Sequence, residues 1–127
     1  MSEPHRFDVQ IYYEDTDLSG VVYHANYLRY FERAREHVIG AARLVELLER
    51  DVGFVVYKCA LTFKEGARLG DIIEIRSSYV RESDYRVVFK QSAWRGDTLL
   101  VDGEVQMVCV DGTKKLVPLP RWEDTER

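Results

Sequence analysis

Little in this chain invites a disulfide, a membrane or a nucleic acid. It has two cysteines, Cys59 and Cys109, with no CxxC pair and no Cys/His spacing suited to a metal. Both fall in apolar, strand-like runs, so two buried thiols in a reducing compartment are expected rather than a disulfide. No apolar stretch approaches the roughly 20 residues that span a bilayer. The opening MSEPHRFDVQ lacks the apolar segment of a secretory signal, so a cytoplasmic location is expected. Positive charge is not in excess: 18 Lys and Arg face 22 Asp and Glu, a formal net charge of −4. That excludes broad, non-specific binding to nucleic acid, yet a few local cations would still suffice for a small phosphorylated ligand. With no internal repeat and no linker, residues 1–127 are expected to form one domain with a real core.

What is present is periodicity, and it changes twice. Residues 7–13 alternate as a half-buried strand, with Phe7, Val9, Ile11 and Tyr13 on one side and Asp8, Gln10 and Tyr12 on the other. A polar loop at 14–20 comes next, closed by Gly20, which is free to take a positive φ. From His24 the period is helical. Tyr27, Leu28, Phe31, Ala34, Val38 and Ala41/Ala42 share one face, and Arg29, Glu32, Arg33, Glu36 and His37 the other. Gly40 costs a helix interior about 1 kcal/mol relative to Ala, so a break is expected there. Leu44, Leu47 and Leu48 carry the apolar stripe on towards Arg50, with Gly53 as the expected stop.

Beyond Gly53 the period is that of a sheet. Strands are expected near 55–64, 71–80, 85–94 and 98–110, joined by short links with a hairpin turn at Arg95-Gly96-Asp97. In the last strand Leu99, Val101, Val105, Met107 and Cys109 are expected inward, and Gly103 marks a bulge or a close backbone approach. After a turn at Asp111-Gly112, the tail with Pro118, Pro120 and the terminal EDTER is expected to run extended and fray. One long helix against a five-stranded antiparallel sheet is an α+β layer architecture. A single helix leaves part of the sheet or an edge strand uncovered, and dimerisation is the natural remedy.

Chemistry concentrates at 13–35, YEDTDLSGVVYHANYLRYFERAR. Asp17 lies shortly before a helix start, where backbone N–H groups lack partners and the aligned peptide dipoles concentrate positive charge. A carboxylate there can activate water or attack a carbonyl whose oxygen rests on those amides. The competing use of such an Asp is ordinary turn formation, and spacing alone favours that use. Calcium binding is a poor fit. Asp15, Asp17, Ser19 and Gly20 match the start of an EF-hand loop, but Asn26 stands where a bidentate Glu is required, and no metal site is expected. Tyr13 and His24 flank the same loop.

The same stretch resembles the signature of the YbgC-like acyl-CoA thioesterases, in the 4-hydroxybenzoyl-CoA thioesterase group of hotdog-fold proteins. The likeness runs through the whole of 13–35. It implies a hotdog fold, with a long central helix wrapped by a curved antiparallel five-stranded sheet, and a hydrolase acting on acyl-CoA without metal or organic cofactor. It further implies Asp17 as general base or nucleophile, with Tyr13 and His24 as active-site neighbours. The backbone amides of Tyr23 and His24 would polarise the thioester carbonyl, and Lys114 and Lys115 would be candidates for the coenzyme A phosphates. A homodimer assembling to a homotetramer is implied, and acyl carrier protein is a possible alternative carrier. Two other activities are compatible with such a fold: a dehydratase or hydratase, which would need a His acting on a β-hydroxyacyl chain, and a non-catalytic acyl-CoA or acyl-carrier-protein binding module.

Overall fold

The computed structural model describes residues 3–124. Strand β1 (His5–Gln10) leads through a 3-10 turn at Tyr13–Asp15 to helices α1 (Asn26–Ile39) and α2 (Ala41–Glu49). Strands β2 (Val52–Phe63), β3 (Ile72–Arg81), β4 (Arg86–Arg95), β5 (Thr98–Asp111) and β6 (Leu116–Val117) come after them. The longer strands form one antiparallel sheet in the order β1-β3-β4-β5-β2. The short sixth strand, which periodicity does not reveal, pairs with β5 at Cys109 and Val110. The α+β hotdog arrangement is the one expected.

The helix divides at Gly40, as its sequence implies. Gly40, at φ 100° and ψ 128°, ends α1 and starts α2, a conformation that only glycine adopts without strain. The break turns α2 away from the line of α1. Ala41 and Ala42 are exposed, and Leu48 is exposed while Leu47 is buried. Gly53 does not stop the helix: α2 ends at Glu49, Asp51 takes the left-handed turn (φ 61°), and Gly53 pairs with Val110 inside β2.

From α1, Tyr27, Tyr30, Phe31, Ala34, Arg35 and Ile39 are buried. Ile73 and Ile75 from β3, Val87, Phe89 and Ala93 from β4, and Val101, Val105 and Met107 from β5 meet them. Leu28 differs from expectation: it is exposed, although it shares a flank of α1 with the buried Arg35 and Ile39. Gly103 is a close approach rather than a bulge, since a Cβ built there would lie 3.0 Å from Phe31 Cε2 and 3.3 Å from Leu61 Cγ. A register shift falls instead at Ala93/Trp94. It brings Leu100, rather than Leu99, fully inside beside Val101, because a bulge changes which side chains face inward.

Two further corrections concern the margins. The tail does not simply run free: Leu119 and Trp122 are buried, and a 3-10 turn at Trp122–Asp124 closes the described chain. Fraying of residues 125–127 lies outside the described residues. Cys109 is buried as expected, but Cys59 is exposed because β2 is an edge strand. Along that edge Val55, Val56, Tyr57 and Phe63 are all exposed. Among the described residues no helix is long and apolar enough to cross a membrane.

Candidate active site

Ile11 is the last side chain before the chain leaves the sheet, held there by its N–H on the Asp71 carbonyl at 2.8 Å. Next, the Tyr12 N–H donates to Asp15 Oδ2 at 2.8 Å and winds residues 13–15 into a 3-10 turn. Alternation therefore stops short of Tyr13, whose side chain is exposed rather than inward. The Asp15 carbonyl anchors the loop to the helix start. It accepts the Tyr23 N–H at 2.9 Å and Asn26 Nδ2 at 3.0 Å. Below it the Tyr30 hydroxyl is buried near the Asp15 carboxylate, and burial, followed by that carboxylate, pushes the phenol well above its usual range.

Between those anchors the loop is a tight hairpin. The Asp17 N–H donates to the Val21 carbonyl at 2.9 Å, and Gly20, at φ 83°, returns its N–H to the Asp17 carbonyl at 3.0 Å. The Asp17 side chain is exposed at the tip. Its Oδ1 accepts the Ser19 N–H at 2.9 Å and the Ser19 hydroxyl at 2.5 Å. These bonds hold the carboxyl below its usual range, the Ser19 hydroxyl contributing most and the Ser19 amide next, with a smaller contribution from nearby His24. Asp17 is thus an ionised carboxylate with one oxygen in turn bonding, so the turn-forming use and an available anion coexist in one side chain.

His24 stands where loop and helix meet, its ring 4.6 Å from Tyr23 and edge-on to Phe63 at 5.9 Å. It lines a cavity of about 290 Å³ with Val22, Tyr27, Phe63 and Lys64, between α1 and the far end of β2. Tyr27 is fixed by accepting the Ala67 N–H at 3.3 Å. Asp17 lies at the margin and does not line this cavity.

The amides at the mouth of α1 differ from the expected pair. The Tyr23 N–H is occupied by the Asp15 carbonyl, so it is not available to a carbonyl oxygen. Neither the His24 nor the Ala25 N–H has an acceptor among the described residues, and helical bonding begins with the Asn26 N–H on the Tyr23 carbonyl at 2.9 Å. Ala25 is not legible as a donor from sequence, because the helical period already begins at His24, two residues before Asn26. The anchoring roles of Asp15, Ser19 and Asn26 are not read from sequence, where these residues enter only as a poor calcium loop; the Ser two residues after an Asp is the available signal for the turn.

The structure brings Asp17 and His24 together and leaves Tyr13 outside the cavity. Lys114 and Lys115 are far off, on an exposed turn where Asp111 Oδ1 accepts the N–H groups of Thr113 and Lys115. Phe63 pairs with Val101 and Val52 with Asp111, so this turn and the His24 cavity sit at opposite ends of β5. At about 3.4 Å per residue the separation is roughly 30 Å. Among the other cations, Arg81 is bound to Glu123 and Arg86 to Glu82, whereas Lys64 stands at the cavity.

Comparison with known proteins agrees with this architecture. The model of the thioesterase-like superfamily matches residues 12–125. An acyl-CoA thioesterase YbgC of Haemophilus influenzae is 35% identical over 119 residues, covering 91% of this chain and 88% of its own. An acyl-CoA thioester hydrolase YbgC of Escherichia coli is 39% identical over 112 residues, covering 86% and 84%. A probable thioesterase from Bartonella henselae superposes with a TM-score of 0.85 at 30% identity, covering 92% of this chain and 99% of its own. A family model over residues 12–125, and relatives alike along nearly the whole chain, make this chain a member of the thioesterase-like superfamily.

Proposed function

We propose that the chain, folded as a single domain in the cytoplasm, hydrolyses acyl-CoA thioesters to a carboxylic acid and coenzyme A. The observation that carries the reading is the pair of unoccupied amides at His24 and Ala25, beside the ionised Asp17 carboxylate and a largely apolar cavity. The thioester oxygen rests on the two N–H groups, which gain most as that oxygen becomes negative in the transition state. As general base, Asp17 takes a proton from water while the water oxygen bonds to the carbonyl carbon. The C–S bond then breaks, and the sulfur leaves as coenzyme A after receiving the proton. As nucleophile, an Asp17 oxygen bonds to the carbonyl carbon, the C–S bond breaks and coenzyme A leaves as the thiolate. Water then hydrolyses the resulting anhydride to the acid and the Asp17 carboxylate, and the thiolate takes up the proton that the water gives up. Ser19 engages only Oδ1, so in the first route the other Asp17 oxygen takes the proton.

The long unpaired edge of β2, with Val55, Val56, Tyr57 and Phe63 exposed, supports a homodimer in which two such strands pair antiparallel. Dimers then join as a homotetramer. A two-fold axis across β2 sets the Val52 end of one protomer against the Phe63 end of the other. That juxtaposition is what would let Lys114 and Lys115 of one copy reach coenzyme A held at the other copy's site, with Lys64 supplying a cation from the same copy. Tyr13 flanks the site only where substrate or the second protomer closes over the loop.

The Ser19 bonds to Asp17 favour one rival, a non-catalytic acyl-CoA binding module. Thiol release from a panel of acyl-CoAs, and from the same chains on acyl carrier protein, separates the readings. Turnover with a preference among chains supports the hydrolase; saturable binding with no thiol release removes it and leaves the binding module or a dehydratase. Sedimentation of the purified chain reports the assembly, and a monomer at assay concentration would remove the shared-site arrangement.

A further inference from the structure

A second cavity, of about 300 Å³, lies further along the same seam between α1 and β2, walled by Ile39, Leu44, Phe54, Val56 and Met107. Among these apolar walls sits Arg35, only 7% exposed. It is one of three buried polar or charged residues among those described, and the other two hold it in place. Arg35 Nη1 donates to Gln91 Oε1 at 3.0 Å, while Gln91 Nε2 donates to the Phe31 carbonyl and to Ser77 Oγ, each at 2.9 Å. Both ends of the Gln91 amide are therefore committed and its orientation is fixed. The other N–H groups of Arg35 have no acceptor among the described residues, nor does any carboxylate among them lie within ion-pair distance. Burial works against this cation, with Glu32 and Cys59 giving a partial electrostatic offset. A guanidinium so placed is costly unless something in the cavity accepts from it.

The stripe His24, Leu28, Arg35, Ile39 runs along one side of α1, at helical spacings, from the first cavity to the second. The exposed Leu28 belongs to it, on the flank of α1 that also carries the buried Arg35 and Ile39. At about 1.5 Å per residue, Arg35 lies roughly 15 Å beyond the amides at the helix mouth. We infer that Arg35 reads the far end of the acyl chain, selecting long acyl thioesters that carry a neutral oxygen (a hydroxyl or carbonyl) near the distal terminus. A carboxylate is less suitable because Glu32 and Glu36 stand at the rim of the same cavity. A methyl terminus leaves the Arg35 donors without a partner, which is the source of the discrimination.

This inference rests on the acyl-CoA hydrolase reading, and its test separates the two. Thiol release by the wild type is compared for lauroyl-CoA, its ω-hydroxy analogue and the matching ω-carboxy compound. The ω-hydroxy chain is expected to have a kcat/KM higher than the methyl-ended chain by roughly tenfold or more, as a hydrogen bond to a charged group implies, with the ω-carboxy chain below it. Arg35→Met should collapse the ratio towards unity, and Arg35→Lys should restore part of it. Because the wild-type ratio is decisive, a variant that fails to fold does not blunt the test. Equal rates on all three chains overturn the inference while leaving the hydrolase intact, as does a preference for the carboxylate. Equal rates together with a weaker dimer in Arg35→Met would assign Arg35 to the subunit interface instead. No hydrolysis of any acyl-CoA sinks the underlying reading.

Discussion

The two ends of the helix-and-sheet layer are built on opposite principles. At the C-terminal end polar groups are matched. Arg81 meets both Glu123 oxygens at 2.8 and 2.9 Å, Tyr79 donates to Glu123 at 2.6 Å, and the Arg81 Cζ stands 4.1 Å over the Trp122 ring. Trp122 packs in turn against Tyr79, Phe89 and Phe54. At the mouth of α1 the reverse holds: the His24 and Ala25 amides lack acceptors among the described residues, and Leu18 and Tyr13 project into solvent. A cluster that satisfies its own groups adds stability and offers nothing to a ligand. A loop that leaves donors unmatched gives up stability and gains a binding surface. Mutations at the two ends should therefore move different observables.

The largest expected effect is at the open end. Asp17→Asn keeps the size of the side chain and an acceptor for Ser19, so the loop should hold its shape. Losing a positioned carboxylate should lower kcat by about 10²- to 10⁴-fold, read by thiol release on the best acyl-CoA substrate. The midpoint of thermal unfolding should scarcely change. A variant that turns over at the wild-type rate would leave Asp17 as a turn residue only.

At the closed end Trp122→Ala should produce the mirror image. Removing a buried aromatic ring from such a cluster costs about 3–5 kcal/mol of stability, read by urea unfolding. In the fraction that remains folded, kcat should stay near wild type. Glu123→Gln is a smaller perturbation of the same cluster, about 1–2 kcal/mol, since the pair is partly solvated. Its pH signature is more informative. Burial, the largest single influence, raises the Glu123 pKa, but hydrogen bonds from Arg81 and Tyr79 together outweigh it and hold the value at about 2. The unfolded carboxyl binds its proton first, near 4.5, so this contribution is whole above that pH and disappears as the pH falls towards 2. Glu123→Gln should flatten that acid limb.

That contrast also marks what sequence could reveal. Periodicity found the strands, the main helix and the Gly40 break, because those arise from one chain's own alternation of apolar and polar residues. It placed Tyr13 inward by extending the alternation, and the Asp15 side chain ended it by capping the Tyr12 amide. It left the tail loose, since nothing local to Trp122 says that Tyr79, Phe89 and Arg81 converge on it from distant strands. Asp17 stood out through its motif. Which amides are left open at the helix mouth depended on where the helix begins, and the Tyr23 N–H was removed from them by the Asp15 carbonyl. Arg35 had no sequence signal at all: only folding shows that a cation on an amphipathic helix lies inside.

The smallest expected effect falls between the two ends, where β1 crosses the last turn of α1. His5 and His37 stack with ring centroids 6.3 Å apart, and Phe7 lies 4.7 Å from His37. Burial first and the charge of His37 second push the His5 pKa below 6.5. The unfolded chain therefore binds this proton before the folded chain does. Stability falls as the pH drops through 6.5 and levels off below the folded value. His37→Gln removes the neighbouring charge but not the burial, so it should weaken the acid-side loss without abolishing it. At pH 8 both forms are neutral and the variant should lie within about 0.5 kcal/mol of wild type. Urea midpoints for the two proteins between pH 5 and 8 test this. Parallel curves would show that the stacked pair does not couple titration to folding; a wild-type curve that drops away from the variant's at low pH would show that it does.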